Sequence, residues 1–131
     1  MDDDDYEYVY GEDIIGPFDP WFLWLDDLAE TEGSGRQPRQ INGLITRTAL
    51  SSEEAERLIS RHGMPQQMSL DFDLGGTDTT MTFLRNWTQR WYRAPFPPCR
   101  FHTSNPVGRE QMRSFVNSWN ESLKGTVNDE N

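Results

Sequence analysis

Lysine is nearly absent from this 131-residue chain: Lys124 is the one lysine, and the other eleven bases are arginine. Arginine presents a planar fork that suits carboxylates, phosphates and aromatic rings. Cysteine is nearly absent too. A single thiol, Cys99, excludes an internal disulfide framework and fits a reducing compartment. Only two histidines occur, His62 and His102, and Cys99 with His102 has neither the company of a zinc site nor a nucleophile motif. No apolar run approaches the roughly 20 residues that cross a bilayer. The N-terminus is acidic and lacks an apolar export signal. These absences lead to the expectation of an intracellular chain, cytoplasmic or nuclear, neither secreted nor membrane-bound. The length allows one domain with a modest core.

Positive charge is missing altogether from residues 1–35, which hold twelve of the 22 acids. The remaining residues carry ten acids against twelve bases. The net charge of −10 is therefore the average of an acidic leader and a mildly basic body. The division predicted from this is an acidic, aromatic-rich arm at 1–35, one small domain at 36–125 and a tail at 126–131.

Within the arm, Asp19-Pro20 reads as an N-cap followed by proline at the first helical position. That predicts a short helix over 20–31, stopped by Gly33-Ser34-Gly35. GSGRQPRQ at 33–40 reads as a linker and INGLITRTAL at 41–50 as a strand, from its alternating β-branched residues. Ser51 and Glu54 form a capping box for a short helix closed by Gly63. QMSLDFDL at 67–74 alternates. Met68, Leu70, Phe72 and Leu74 should face a core, and Ser69, Asp71 and Asp73 should face water. After Gly75-Gly76, the spacing of Leu84, Trp87 and Trp91 predicts a helix over about 79–92, capped by Thr77 or Asp78. CRFHTS at 99–104 reads as a short strand. Met112, Phe115, Val116, Trp119 and Leu123 mark a last helix, opened by Asn105-Pro106 and closed by Gly125. The predicted fold class is α+β, or small α/β, in the order α-βαβαβα. Three short strands would be covered by three or four helices.

Two clusters stand out as candidate sites. The first joins Tyr6, Tyr8 and Tyr10 to Phe18, Trp21, Phe22, Trp24 and Leu25. Five consecutive apolar residues, Trp21 to Leu25, would wrap all sides of a helix, so one face would be left for a partner. The second interleaves Arg85, Arg90 and Arg93 with Trp87 and Trp91. That pattern suits either an amphipathic helix or a single-stranded nucleic acid, with rings stacking on bases and arginines holding phosphates.

DLGGT at 73–77 resembles a phosphate-binding turn of sugar kinases in the actin-like superfamily. The resemblance spans five residues and implies a two-domain fold, so a tight turn is the reading retained. Asp71 and Asp73 fall on the same face of the predicted strand, with Asp78 beyond the turn, and paired carboxylates can hold Mg²⁺. Aspartates on the wet face of a strand explain them equally well, and no metal, cofactor or catalytic residue is assigned.

The expectation is a non-enzymatic regulator whose acidic-aromatic arm docks on a basic surface of a partner protein. Viral and phage inhibitors that modulate host machinery or mimic nucleic acid have this character. The alternatives are an assembly protein, such as a homo-oligomer or a component of a larger complex, and a single-strand nucleic-acid binder acting through 85–100. Nucleic acid is the less favoured partner, because the arm would repel phosphates.

Overall fold

The computed structural model describes residues 8–9, 19–28 and 40–129, with side chains at 19–28 and 40–124. Six strands form one sheet: β1 (Tyr8–Val9), β2 (Trp21–Leu25), β3 (Gln40–Ile41), β4 (Leu44–Ala49), β5 (Gln67–Leu70) and β6 (Cys99–Phe101). Three helices accompany it: α1 (Ser52–His62), α2 (Thr80–Arg90) and α3 (Pro106–Asp129). The spatial order is β1-β3-β4-β2-β5-β6. The pairs β4–β2, β2–β5 and β5–β6 are parallel, and β1 and β3 extend the sheet antiparallel. The mixed α/β class expected from the sequence is the one observed.

The predicted helix over 20–31 does not form where the chain is described. Trp21–Leu25 is β2, the central strand of the parallel set, hydrogen-bonded on both edges. The reason lies in the run itself. Trp21, Phe22, Leu23 and Leu25 are all essentially inaccessible to solvent. A helix on the surface of a small domain cannot bury five consecutive positions, whereas a central parallel strand buries both of its faces. Each such side chain contributes roughly 1.5–3 kcal/mol on burial. An N-cap is worth only about 1 kcal/mol, so the Asp19-Pro20 signal loses. The segment is therefore not a detachable arm. Residues 1–7, 10–18 and 29–39 of that predicted arm lie outside the described residues.

The predicted strand over 41–50 is broken by Asn42-Gly43. Both have positive φ, 55° and 78°. That pair of values makes the two-residue turn that suits a tight hairpin, here between β3 and β4. The α1 prediction holds in detail: the Ser51 hydroxyl accepts from the Glu54 amide at 3.1 Å, and Gly63 ends the helix at φ 85°. Helix α3 passes through Gly125 to Asp129 instead of stopping at the glycine.

The core lies on one face of the sheet. Trp21, Leu23, Leu25, Ala49, Met68 and Leu70 pack there with Ala55 and Ile59 of α1, Phe83, Leu84 and Trp87 of α2, and Met112 and Val116 of α3. The other face of the same strands carries Phe22, Trp24 and Ser69, with Trp24 opposite Ser69 and Ser69 opposite Arg100 in register. Ser69 is fully buried. The expected wet face of β5 is therefore interior at that position, where the His102 ring lies against Ser69 with Nδ1 2.6 Å from its hydroxyl. Among the described residues no helix is long and apolar enough to cross a membrane.

Candidate functional site

In a sheet of this order the chain leaves β2 toward β4 and leaves β5 toward β6. The carboxyl ends of β2 and β5 therefore frame the crevice where the winding reverses, the usual ligand position in open α/β sheets. Three acids stand there. Asp26 and Asp27 directly follow β2, and Asp71 directly follows β5. One carboxylate oxygen from each lies within 4.8 Å of the others, and all three residues are half-buried.

The strand ends hold these acids by backbone bonds. The Asp26 amide donates to the Ala49 carbonyl at 3.0 Å and the Asp71 amide to the Leu25 carbonyl at 2.9 Å. The His102 amide donates to the Leu70 carbonyl at 3.0 Å, which brings the residue after β6 into the same crevice. The DLGGT stretch forms the tight turn expected of it, closed by the Leu74 amide on the Asp78 carbonyl at 3.1 Å. Gly75 adopts φ 91° and lies against Asp27, so the turn arches beside the acids. A methyl group at Gly108 of α3 would run into the ring of Phe72, the residue after Asp71. Glycine there lets the helix approach the crevice closely.

The acids are not equivalent. Asp26 is held below the usual carboxylate range, first by its hydrogen bond with His102. The Leu28 amide adds a bond to Oδ1 at 2.9 Å, while burial works in the opposite direction. Asp71 is pushed above that range, mainly because burial strips its charge of water, with the neighbouring Asp26 charge adding to the effect. Hydrogen bonds from the Thr103 hydroxyl and from the Phe72 amide, the latter at 2.8 Å, oppose the rise.

His102 is the basic side chain against the cluster, with Nε2 3.2 Å from Asp26 Oδ2. Its Nδ1 lies 2.6 Å from the Ser69 hydroxyl. Serine, histidine and aspartate thus form a chain, but Ser69 has no access to a substrate and cannot serve as a nucleophile. Cys99 is no better placed, since burial pushes its thiol up to about 12 and disfavours the thiolate.

The sequence-predicted sites fare differently. Trp21, Phe22 and Leu25 are core residues, and Trp24 is half-buried and stacked on His102 at 4.9 Å between ring centres. None of the four is an exposed anchor, because the strand uses both of its faces. Tyr8 lies on β1, while Tyr6, Tyr10 and Phe18 lie outside the described residues. In the second cluster, Trp87 is fully buried and donates to the Ala94 carbonyl at 2.9 Å, so it cannot stack on a base. Arg90 pairs with Glu56 at 2.9 Å and lies over Trp91, which is itself half-buried against Trp87. Arg85 lines a groove of about 840 Å³ between α2 and α3, and Arg93 sits in the turn after α2 at φ 60°. The helix expected there forms, with the tryptophan inside and the arginines outside. Asp26 and Asp27 were not among the predicted site residues. An acid pair directly after a short, wholly apolar run, with another acid after a second strand, is the pattern that marks this crevice.

Residues 21–118, three quarters of the chain, match the family model of the cyclic-phosphate processing receiver domain. No curated protein matches the sequence. Among solved structures, a yeast Spc42 trimeric coiled-coil segment fused to another structure is similar at 20% identity and a TM-score of 0.52. The similarity covers 75% of this chain and 63% of the fusion, so this chain spans less than two thirds of that molecule. The receiver domain of NtrX from Brucella abortus aligns at 16% identity and a TM-score of 0.40, over 76% of this chain and 98% of that domain. The family match overturns the expectation of an arm-docking interaction protein, viral inhibitor or nucleic-acid mimic. The matched segment begins at Trp21, within the stretch assigned to the arm.

Proposed function

The chain belongs to the cyclic-phosphate processing receiver domain family, and from that premise we propose that it is a signalling domain switched by phosphate chemistry at Asp71. The observation that carries this reading is the set of three carboxylates at the carboxyl ends of β2 and β5. Converging carboxylate oxygens are the donor set a hard divalent cation such as Mg²⁺ takes. Asp26, Asp27 and Asp71 would hold the ion, and their half-buried positions suit partial dehydration of it. When bound, such an ion offsets the negative charge of the acids and of an approaching phosphate.

Asp71 is the acceptor in this reading. One of its oxygens accepts the Phe72 amide, and a hydrogen bond from Thr103 fixes the carboxyl further. An Asp71 oxygen attacks phosphorus in a phosphate donor and forms an acyl phosphate. The bond from phosphorus to the leaving group breaks, and that group departs with the electron pair. The Thr80 hydroxyl donates to the Asp71 carbonyl, so a change at Asp71 reaches the first turn of α2 directly. The product is a regulatory state for a partner protein to read, and the domain acts as a switch rather than as a turnover enzyme.

The test is incubation of the full chain with acetyl phosphate and Mg²⁺, followed by intact mass measurement. A gain of one phosphoryl group, lost in Asp71→Asn and labile to hydroxylamine, is expected. An unchanged mass at saturating donor, or an unchanged gain in Asp71→Asn, overturns the assignment.

A further inference from the structure

The sheet face that carries Trp24 and Ser69 holds, at the crevice, an arrangement that acceptance of phosphate does not itself require. Trp24 on β2 and Ser69 on β5 are register partners, so both project from one face of the sheet. Asp26 follows Trp24 by two positions, and Asp71 follows Ser69 by two. Strand alternation brings all four toward the same side. His102 enters this row from the end of β6. Its ring stacks on the Trp24 indole at 4.9 Å and an interplanar angle of 28°. Nδ1 meets the Ser69 hydroxyl at 2.6 Å, and Nε2 meets Asp26 Oδ2 at 3.2 Å. Every edge of the imidazole is therefore occupied, and its side chain is 15% exposed against 19% for Asp26.

A carboxylate only accepts hydrogen bonds, so Nε2 carries the hydrogen it shares with Asp26. Ser69 occupies the other nitrogen, and the indole fixes the ring plane. The imidazole can neither flip nor swing without breaking two hydrogen bonds and a stacked contact. Asp26 Oδ1 is engaged by the Leu28 amide at 2.9 Å. The Asp26 carboxylate is thus clamped at both oxygens, and its remaining lone pairs point along fixed directions. Outer partners of this kind orient metal-binding carboxylates, and their loss commonly weakens affinity 10–100-fold.

We propose that His102, seated between Trp24 and Ser69, is a positioning residue that aims the Asp26 carboxylate at a divalent cation shared with Asp27 and Asp71. The proposal rests on the reading of the three acids as a cation site. His102 itself touches neither the cation nor the phosphate. It supplies a donor in a fixed place, and Ser69 keeps that donor directed at Asp26.

The experiment is a Mg²⁺ titration of the full chain by isothermal calorimetry, with melting temperatures measured in parallel without Mg²⁺. Asp27→Asn reports on the cation site itself and is expected to weaken Mg²⁺ binding at least tenfold. His102→Leu removes the donor and is expected to weaken it at least tenfold as well. His102→Gln keeps an amide N–H at about the reach of Nε2 and is expected to stay within threefold of the unaltered chain. Ser69→Ala, which frees the ring, is expected to weaken binding several-fold. If Asp27→Asn binds poorly while His102→Leu binds as the unaltered chain does, the positioning role falls and the cation site stands. If His102→Gln falls as far as His102→Leu, the hydrogen bond is not the contribution and the proposal falls. If Asp27→Asn binds normally, the cation site falls, and this proposal with it. Should His102→Leu not fold, His102→Gln and Ser69→Ala decide the matter. Retention in the first with loss in the second supports the role, and the unaltered affinity in both overturns it.

Discussion

Asp26 and Asp71 are the same residue type, each one step beyond a buried strand and on the same side of the sheet, yet their surroundings push them apart. Asp26 has His102 and the Leu28 amide and is favoured as the anion. Asp71 has burial and a charged neighbour against it, and its anion is disfavoured. The difference shows how one crevice holds two aspartates in unlike electrostatic states by their partners alone. A carboxylate with fixed donors serves as a permanent ligand. A carboxyl held uncomfortably is the one that gains from acquiring a new bond.

The comparison can be broken in four ways. Mg²⁺ should remove the disparity by stabilising all three acids together. At a concentration one hundred times its dissociation constant, the folded chain should gain about 2.7 kcal/mol, read as a rise in melting temperature. An unchanged melting temperature at millimolar Mg²⁺ would count against the site. Without Mg²⁺, Asp26→Asn should destabilise by about 1–3 kcal/mol, because a charge-assisted bond with His102 is lost. Urea denaturation of the variant measures this. Asp71→Asn should move the other way, stabilising by up to about 1 kcal/mol, since a poorly solvated charge beside Asp26 disappears. A loss of stability there would show that the hydrogen bonds to Asp71 outweigh its desolvation.

The smallest effect is in the pH dependence. The contribution of Asp26 is complete above its unfolded value of 3.8 and is lost as pH falls through its lowered folded value. Asp71 has the opposite sign. The stability its anion costs near neutrality is recovered as pH falls through its raised folded value toward 3.8. Urea midpoints followed from neutral pH into the acid range should therefore lose a recovery in Asp71→Asn just above 3.8. They should lose a decline in Asp26→Asn below it. Identical profiles for both variants would remove the distinction between the two acids.

The helices were legible because their signals are local. Ser51, Glu54 and Gly63 bracket α1 by short-range hydrogen bonds, and the spacing of Leu84 and Trp87 alone marks the buried side of α2. The α/β class followed from that alternation. The central strand was not legible, because a run of five apolar residues has no periodicity with which to choose between helix and strand. Its strand state is decided by β4 and β5, whose pairing with β2 is a long-range fact. The site failed with it. Once Trp21–Leu25 is taken for a helix, Asp26 and Asp27 become unfavourable charges at its end instead of acids that frame a sheet crevice. The family match, beginning at Trp21, and the buried β2 both correct that reading.

One contact bears on how this molecule can change over generations. Asp78 grips Ser52 twice, at its amide with 3.0 Å and at its hydroxyl with 2.8 Å. The start of α1 is thus capped by a residue from the loop that follows Asp71. Eight residues lie between Asp71 and Thr80, tied at one end to Leu25, at the other to the Asp71 carbonyl, and in the middle to α1. An inserted residue there would release the cap, the crevice and the first turn of α2 in a single step. The stretch therefore has a fixed length. Variation in length is cheaper at the Asn42-Gly43 turn, where an added residue disturbs one hairpin and the Asn42–Gln67 bond.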